Sequence, residues 1–219
     1  MSTIAKNLDR IKGELPGHVT LVAVSKTKSN SAVEEAYATG HHDFGENKVQ
    51  ELQKKQPALP DDIHWHFIGH LQRNKVKYMA PFVHLIHGVN SLRLAKEIDK
   101  RARQNERKIN ALLQVHIAEE STKFGFDFDE LKALVASNDL AGLEHLRIRG
   151  LMGMATYTDD MDQVRREFKS LKSAFDHIKT SFADCDILSM GMSNDYKVAI
   201  EEGSTMVRIG TDIFGERNY

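Results

Sequence analysis

The stretch TLVAVSKTK, residues 20–28, joins an apolar strand pattern to a lysine. Residues 21–24 are apolar on both alternating faces, which is typical of a strand covered on both sides, as in a parallel sheet. Lys26 has the same parity as Val22 and Val24, so we expect its side chain to point the same way as theirs. That places the lysine at the C-terminal edge of the strand, where α/β folds bind their ligands.

Lys26 is therefore a candidate for Schiff-base formation. A lysine in apolar surroundings loses the solvation of its charged form, so its pKa falls and more of it is the free amine that attacks carbonyls. On this stretch alone the alternative is a lysine whose ammonium group reaches water beyond the strand end.

The rest of the chain repeats a strand followed by a helical pattern. After the opening strand, the predicted strands are 43–47, 64–68, 82–89, 109–117, 146–152, 187–189 and 206–209. Helical patterns cover 4–15, 31–38, the segment through Val49 and Leu52, 71–79, 92–105, the segment through Leu131 and Val135, 164–182 and 196–202. This alternation favours an α/β fold, a single (β/α)8 TIM-type barrel with an extra N-terminal helix. An open doubly wound sheet is the alternative. With no linker or composition shift, we expect one domain, 1–219.

The composition suits a soluble, cytoplasmic protein. The 219 residues are 41% hydrophobic and carry a formal net charge of -1, so nothing points to nucleic acid or to an anionic membrane as partner. The N-terminus lacks a signal-peptide pattern, and no apolar run is long enough to span a membrane. The single cysteine, Cys185, fits a reducing compartment. It lies between Asp184 and Asp186, whose charges would raise the pKa of the thiol, so we interpret it as structural.

Two loops near the C-terminus offer an anion site. SMGMSND, residues 189–195, follows the seventh predicted strand, and its Gly191, Ser193 and the N–H groups of the next helix suit a phosphate. Gly210 and Thr211 follow the eighth strand, and the loops after strands seven and eight are a frequent phosphate site in such barrels. The alternative is a serine N-cap with ordinary turn glycines.

Arg208 interrupts the apolar strand MVRIG. A buried guanidinium needs a partner or a ligand, and an ion pair with Glu46 or Asp212 is the alternative to a ligand. A lysine, a phosphate cradle and an arginine at one barrel mouth indicate pyridoxal 5'-phosphate (PLP), with its aldehyde at Lys26.

Two other groups of residues have the composition of binding sites, for a metal and for a nucleic acid. Histidines occur in three pairs, His41 and His42, His64 and His66, and His84 and His87. Histidines this close together along a strand point to opposite faces or lie far apart. No cysteine or carboxylate cluster completes a site, so we predict no metal site. The basic run 101–108 includes Glu106 and is interpreted as solvated surface rather than as a nucleic-acid site.

Six motifs together resemble the pyridoxal phosphate homeostasis protein family, in order and over essentially the whole chain. They are AVSKTK (23–28), FGENKVQE (44–51), WHFIGHLQRNK (65–75), STKFGF (121–126), RGLMGMA (149–155) and LSMGMSNDYKVAIEEGSTMVRIGTDIFGER (188–217).

The resemblance implies a barrel related to the N-terminal domain of alanine racemase, with PLP bound to Lys26. It places Asn47 near the cofactor ring, Arg208 at the pyridine nitrogen, and Ser193, Gly210 and Thr211 at the phosphate. The full set expected to bind the cofactor is Lys26, Asn47, Ser189, Met192, Ser193, Arg208, Gly210 and Thr211. Lys123 matches a further family lysine whose role is less settled. We assign no role to His70.

The favoured function is a PLP-binding protein of intracellular vitamin B6 homeostasis that holds or delivers the cofactor without strong turnover of its own. PLP-dependent apo-enzymes are the candidate recipients, a monomer is expected, and no catalytic residue is assigned. One alternative is a PLP-dependent amino-acid racemase, which needs a second acid/base opposite the lysine. In alanine racemase an added C-terminal domain of the partner subunit supplies that group, and we expect that domain to be absent here. The other alternative is an aldolase-like enzyme acting on phosphosugars through Lys26 without a cofactor.

Overall fold

The computed structural model describes residues 2–120 and 124–216. In this part of the chain, eight parallel strands pair in chain order, and β1 pairs with β8 to close a barrel. The strands are β1 (Thr20–Val24), β2 (Asp43–Glu46), β3 (His64–Phe67), β4 (Leu85–Val89), β5 (Ile109–Gln114), β6 (Leu146–Met152), β7 (Ile187–Met192) and β8 (Met206–Ile209). The predicted (β/α)8 barrel is confirmed, and the open sheet is excluded.

Helices surround the barrel. The α-helices are α1 (Thr3–Glu14), α2 (Asn30–Tyr37), α3 (Val49–Lys55), α4 (Leu92–Gln104), α5 (Phe128–Ala136), α6 (Met161–Ile178), α7 (Tyr196–Glu201) and α8 (Thr211–Phe214). Short 3-10 helices cover Gln56–Ala58, Arg73–Tyr78 and Lys179–Ser181. The extra N-terminal helix is confirmed as α1, which Ser2 caps by accepting a hydrogen bond from Ala5 N.

Several predicted elements differ from those in the structure: β5 ends at Gln114 rather than at 117, β7 continues to Met192, and α6 is Met161–Ile178. The helix predicted over 71–79 is a 3-10 helix, and the strand predicted from residue 82 begins at Leu85. The strand begins late because a turn precedes it, in which Phe82 N and Val83 N donate to Met79 O at 3.1 and 2.8 Å. The short α8, which no predicted helix covered, follows the last strand.

Two apolar layers hold the barrel together. Val22, Leu85, Leu112, Met152 and Met206 form a buried cluster of their own. A larger cluster contains residues of alternate parity together with the buried faces of the helices. Alternation along β1 assigns these two sets to the two sides of the sheet, because successive side chains point to opposite faces.

Part of the basic run 101–108 belongs to the fold. The Arg107 guanidinium donates to Ala80 O at 2.7 Å and to Val83 O at 3.0 Å. Arg101 instead pairs with Glu97 one turn earlier on α4. Among residues 2–120 and 124–216, no helix combines the length and the hydropathy needed to cross a bilayer.

Candidate cofactor-binding site

The C-terminal ends of the strands surround a pocket of about 440 Å³. This volume lies within the range of small-molecule sites, about 300–1,000 Å³. Seven of the eight residues that the sequence assigned to a cofactor line it: Lys26, Asn47, Met192, Ser193, Arg208, Gly210 and Thr211. The predicted convergence of the end of β1 with the loops after β7 and β8 is therefore observed.

Hydrogen bonds on both sides of Lys26 fix its backbone. Ser25, fully buried, donates from Oγ to Glu46 Oε1 at 2.6 Å. Thr27 adopts φ 65°, which is uncommon for a residue other than glycine, and its N–H donates to Glu51 Oε2 at 2.8 Å. These contacts present the Lys26 side chain to the pocket that Val24 also lines, as strand parity predicted.

The carboxylate behind Lys26 is itself paired inside the protein. Lys55 Nζ donates to Glu46 Oε1 at 2.7 Å and to Ser25 O at 2.8 Å. Burial raises the pKa of Glu46, and the charge and hydrogen bond of Lys55 oppose that shift. This buried pair joins α3 to the ends of β1 and β2.

Lys28, the second lysine of the motif, has a structural role. Its Nζ donates to Phe214 O at 3.1 Å, Gly215 O at 3.0 Å and Glu216 O at 2.7 Å. These three carbonyl contacts hold the Lys28 ammonium group at the C-terminal end of α8.

Asn47 supplies an unsatisfied polar atom. Its Oδ1 is buried and has no hydrogen-bond partner among the described residues. Gly69 lets the chain after β3 approach the backbone of Asn47, because a Cβ there would lie 2.3 Å from the main-chain oxygen of Asn47. Buried acceptors are almost always paired, so the Oδ1 atom fits a ligand that carries a donor.

Arg208 is buried and its guanidinium contacts neutral oxygens. It donates to Ser189 Oγ at 2.6 Å and to Gly153 O at 3.2 Å. Burial lowers the pKa of Arg208 to about 10, with Asp195 opposing the shift, so the side chain stays charged at neutral pH. Glu46 pairs with Lys55 instead, and no ion pair joins Arg208 to Glu46 or Asp212 in the described chain.

Ser189 is placed differently from the sequence expectation. It is fully buried and does not line the pocket, but holds Arg208 from within the barrel. Its position in the motif SMGMSND suggested a cofactor contact, yet the inward side chains of β7 reach the pocket only at Met192, near the strand end. Ser189 therefore contacts Arg208 in the structure, and its contact with a cofactor stays a prediction.

The loops after β7 and β8 form the hydroxyl-rich end of the pocket through Ser193 and Thr211. Gly191 allows the turn at the end of β7, since its φ is 98° and a Cβ would lie 2.6 Å from Ala199 Cβ. Asp195 Oδ1 accepts a hydrogen bond of 2.6 Å from Met192 N, which closes the loop.

Sequence reasoning missed several pocket residues. Gln114 is the last residue of β5, and Phe124 follows the loop after it; His70 and Tyr157 also line the pocket. The His70 and Phe124 rings stack with centroids 4.3 Å apart. The predicted strand 109–117 continued past Gln114 and so hid its position at the strand end. The pairing of His70 with Phe124 has no local signal. Lys123 lies outside the described residues.

Comparisons with known proteins show the family of this chain. The family profile described as alanine racemase, N-terminal domain, matches residues 1–218. The pyridoxal phosphate homeostasis protein of Aquifex aeolicus is 43% identical, over 91% of this chain and 87% of the relative. The protein of the same name from Escherichia coli K12 is 38% identical, over 100% of this chain and 99% of the relative. The chain belongs to the pyridoxal phosphate homeostasis protein family.

Solved structures extend the match. PipY of Synechococcus elongatus, solved without PLP, superposes with a TM-score of 0.91 at 36% identity, covering 97% of this chain and all of that one. The same protein with PLP bound gives 0.88 at 35% identity with the same coverage. An alanine racemase of Clostridium difficile, at 17% identity and a TM-score of 0.79, shares the fold over 99% of this chain and 60% of that one.

Proposed function

We propose that this protein binds PLP in the pocket at the C-terminal ends of the strands, with the aldehyde joined to Lys26 as a Schiff base. It holds or delivers the cofactor in intracellular PLP homeostasis, as one domain spanning 1–219 in the cytoplasm. The observation that carries the proposal is the meeting of Lys26, Asn47, Arg208 and the loops after β7 and β8 around one pocket. The PLP-bound structure of PipY supports it.

The chemistry of the lining suits this cofactor. Asn47 Oδ1 offers a buried acceptor to the hydroxyl-bearing ring, and the hydroxyls of Ser193 and Thr211 offer donors to the phosphate. Lys26 would supply the amine. Lys28 would hold the end of α8 beside the pocket through its three carbonyl contacts.

The presence of Arg208 favours a protein that holds the cofactor rather than an enzyme that converts substrates. Bound PLP supplies an aldehyde for amines and a ring that withdraws electrons. A guanidinium donates a hydrogen bond but keeps its proton at neutral pH, so it would leave the ring nitrogen unprotonated and the ring a weak electron sink. The contacts of Arg208 with Ser189 and Gly153 keep the guanidinium in place.

The test is the absorption spectrum of the purified protein with PLP, recorded for the wild type, Lys26→Ala and Lys28→Ala. We expect the wild type and Lys28→Ala to show the band of a lysine Schiff base, at roughly 410–430 nm. Lys26→Ala is expected to lose that band yet retain PLP more weakly through the phosphate contacts. A colourless wild type that PLP cannot reconstitute would contradict the proposal and favour the aldolase-like enzyme.

Two further assays separate a carrier from an enzyme. Racemisation of a panel of amino acids by the PLP-loaded protein is expected to be negligible beside its ability to activate an added PLP-dependent apo-enzyme. Rapid racemisation that Lys26→Ala abolishes would show a racemase instead. Gel filtration with light scattering tests the expected monomer.

A further inference from the structure

A second pocket opens at the opposite end of the barrel. It has a volume of about 380 Å³ and lies among the N-terminal ends of the strands. Three of its residues come from neighbouring strands: Asp43 begins β2, His66 is in β3, and His84 precedes β4. We propose that Asp43, His66 and His84 bind a divalent transition-metal ion of the zinc class.

The three side chains are already arranged as a set. Each offers one ligand atom, and the three atoms lie within 4.8 Å of one another. In a tetrahedral site with bonds of 2.0–2.1 Å, ligand atoms lie about 3.4 Å apart. Asp43 Oδ1 and His66 Nε2 are 3.1 Å apart, so small side-chain movements would bring them to the separation needed to coordinate one metal ion. Three protein ligands leave a fourth position that faces the pocket, for water or another ligand.

Outer contacts hold the ligands in a suitable orientation. His66 is buried, and its Nδ1 lies 3.0 Å from His87 Nε2. With a metal on Nε2, the proton of His66 would reside on Nδ1 and be donated to His87, the usual arrangement of a metal-bound histidine. The ring of His84 stacks on that of His64, with centroids 4.4 Å apart. The Nδ1 of His64 also contacts Asp43 Oδ1 at 3.1 Å.

The electrostatics of the pocket admit a cation. Asp43 brings a carboxylate to the pocket. Arg149 also lines the pocket, but its guanidinium contacts both Asp186 oxygens at 2.8 Å, which offsets its charge.

The experiment is a titration of the full-length protein, cleared of metal by a chelator, with Co²⁺ followed by visible absorption and with Zn²⁺ as competitor. We expect one equivalent of Co²⁺ to bind with the intense absorption of a four- or five-coordinate site and to be displaced by Zn²⁺. His84→Ala is expected to weaken binding at least about tenfold. His18→Ala is the matched control, because His18 lines the same pocket outside the ligand set.

Asp43→Asn keeps the size of the side chain and removes its charge, so it is a second ligand variant. Circular dichroism and thermal unfolding without metal show that each variant is folded before its titration is interpreted. Wild-type protein that binds no Co²⁺, or a folded His84→Ala that binds it as the wild type does, would overturn the inference. The test uses no PLP, so its failure is separate from failure of the proposed function.

Discussion

Arg208 Nη1 donates a 2.6 Å hydrogen bond to Ser189 Oγ inside the barrel. The same Oγ lies 3.1 Å from His87 Nδ1, and His87 Nε2 lies 3.0 Å from His66 Nδ1. His66 Nε2 in turn lies 3.1 Å from Asp43 Oδ1, so a chain of hydrogen bonds connects the two ends of the barrel. Arg208 can only donate and an ionised Asp43 can only accept, so in the absence of a metal every link is satisfied with both histidines neutral.

Ser189→Ala tests the role of Ser189 as the support of Arg208. The variant removes one of the two acceptors of a buried guanidinium, and losing a hydrogen bond to a charged group costs about 1.5–3 kcal/mol. We expect the free energy of unfolding in urea to fall by that amount and the affinity for PLP to fall with it.

Ser193→Ala is the control for this substitution. Ser193 lines the pocket and is not fully buried, so its variant is expected to weaken PLP binding without loss of stability. A Ser189→Ala protein as stable as the wild type would show that Ser189 does not support Arg208.

Lys55→Met tests the buried pair behind Lys26. Removing one partner of a buried ion pair costs about 3–5 kcal/mol, because it leaves the other charge uncompensated. Without Lys55, burial and the charge of Glu51 raise the pKa of Glu46 further above the ordinary value, and the hydrogen bond from Ser25 opposes them. The folded state of the variant then binds a proton that the unfolded state releases, so its stability falls as pH rises above the unfolded pKa of Glu46.

We therefore expect Lys55→Met to be less destabilised near pH 5 than near pH 8, as measured by urea unfolding across that range. Lys54→Met is the matched control, since Lys54 is the exposed neighbour on α3. An equal loss of stability at both pH values would show that Glu46 does not take up a proton when Lys55 is removed.

Cys185 is expected to resist alkylation. Burial, together with the charge of Asp186, raises the pKa of its thiol to about 11. The thiolate is the nucleophile in alkylation. A pKa two units above the ordinary value of 9.0 therefore lowers the rate of alkylation about a hundredfold near pH 8. The rate with iodoacetamide should rise with pH up to about 11 and recover in urea. Fast alkylation of the folded protein would contradict this.

The fold was predictable because the apolar runs of β1 to β8 and the helical patterns between them are local signals. The parity of Val22, Val24 and Lys26 fixed the direction of the lysine side chain before any contact was known. The predicted start of β4 was wrong at Phe82 and Val83. There a turn closed by Met79 O interrupts an apolar run that is typical of a strand.

The sequence predicted the site residues that lie at the ends of strands. It did not predict how deep a side chain lies below the pocket, or which residues meet across the barrel. Ser189 belongs to the same motif as Ser193 but lies too deep to reach the pocket. The prediction of no metal site considered histidines along single strands, whereas Asp43, His66 and His84 meet from the start of β2, from β3 and from the residue before β4. That convergence follows from the pairing of β2 with β3 and of β3 with β4, which spacing along the chain does not reveal.

Identification of the labelled lysine tests most directly whether Lys26 carries PLP. The PLP-loaded protein is reduced with borohydride and digested, and the modified peptide is sequenced by mass spectrometry. We predict one adduct per chain, on Lys26, with Lys28 unmodified because its ammonium group is held by three carbonyl oxygens. An adduct on another lysine, or the same yield of adduct from Lys26→Ala, would contradict the account.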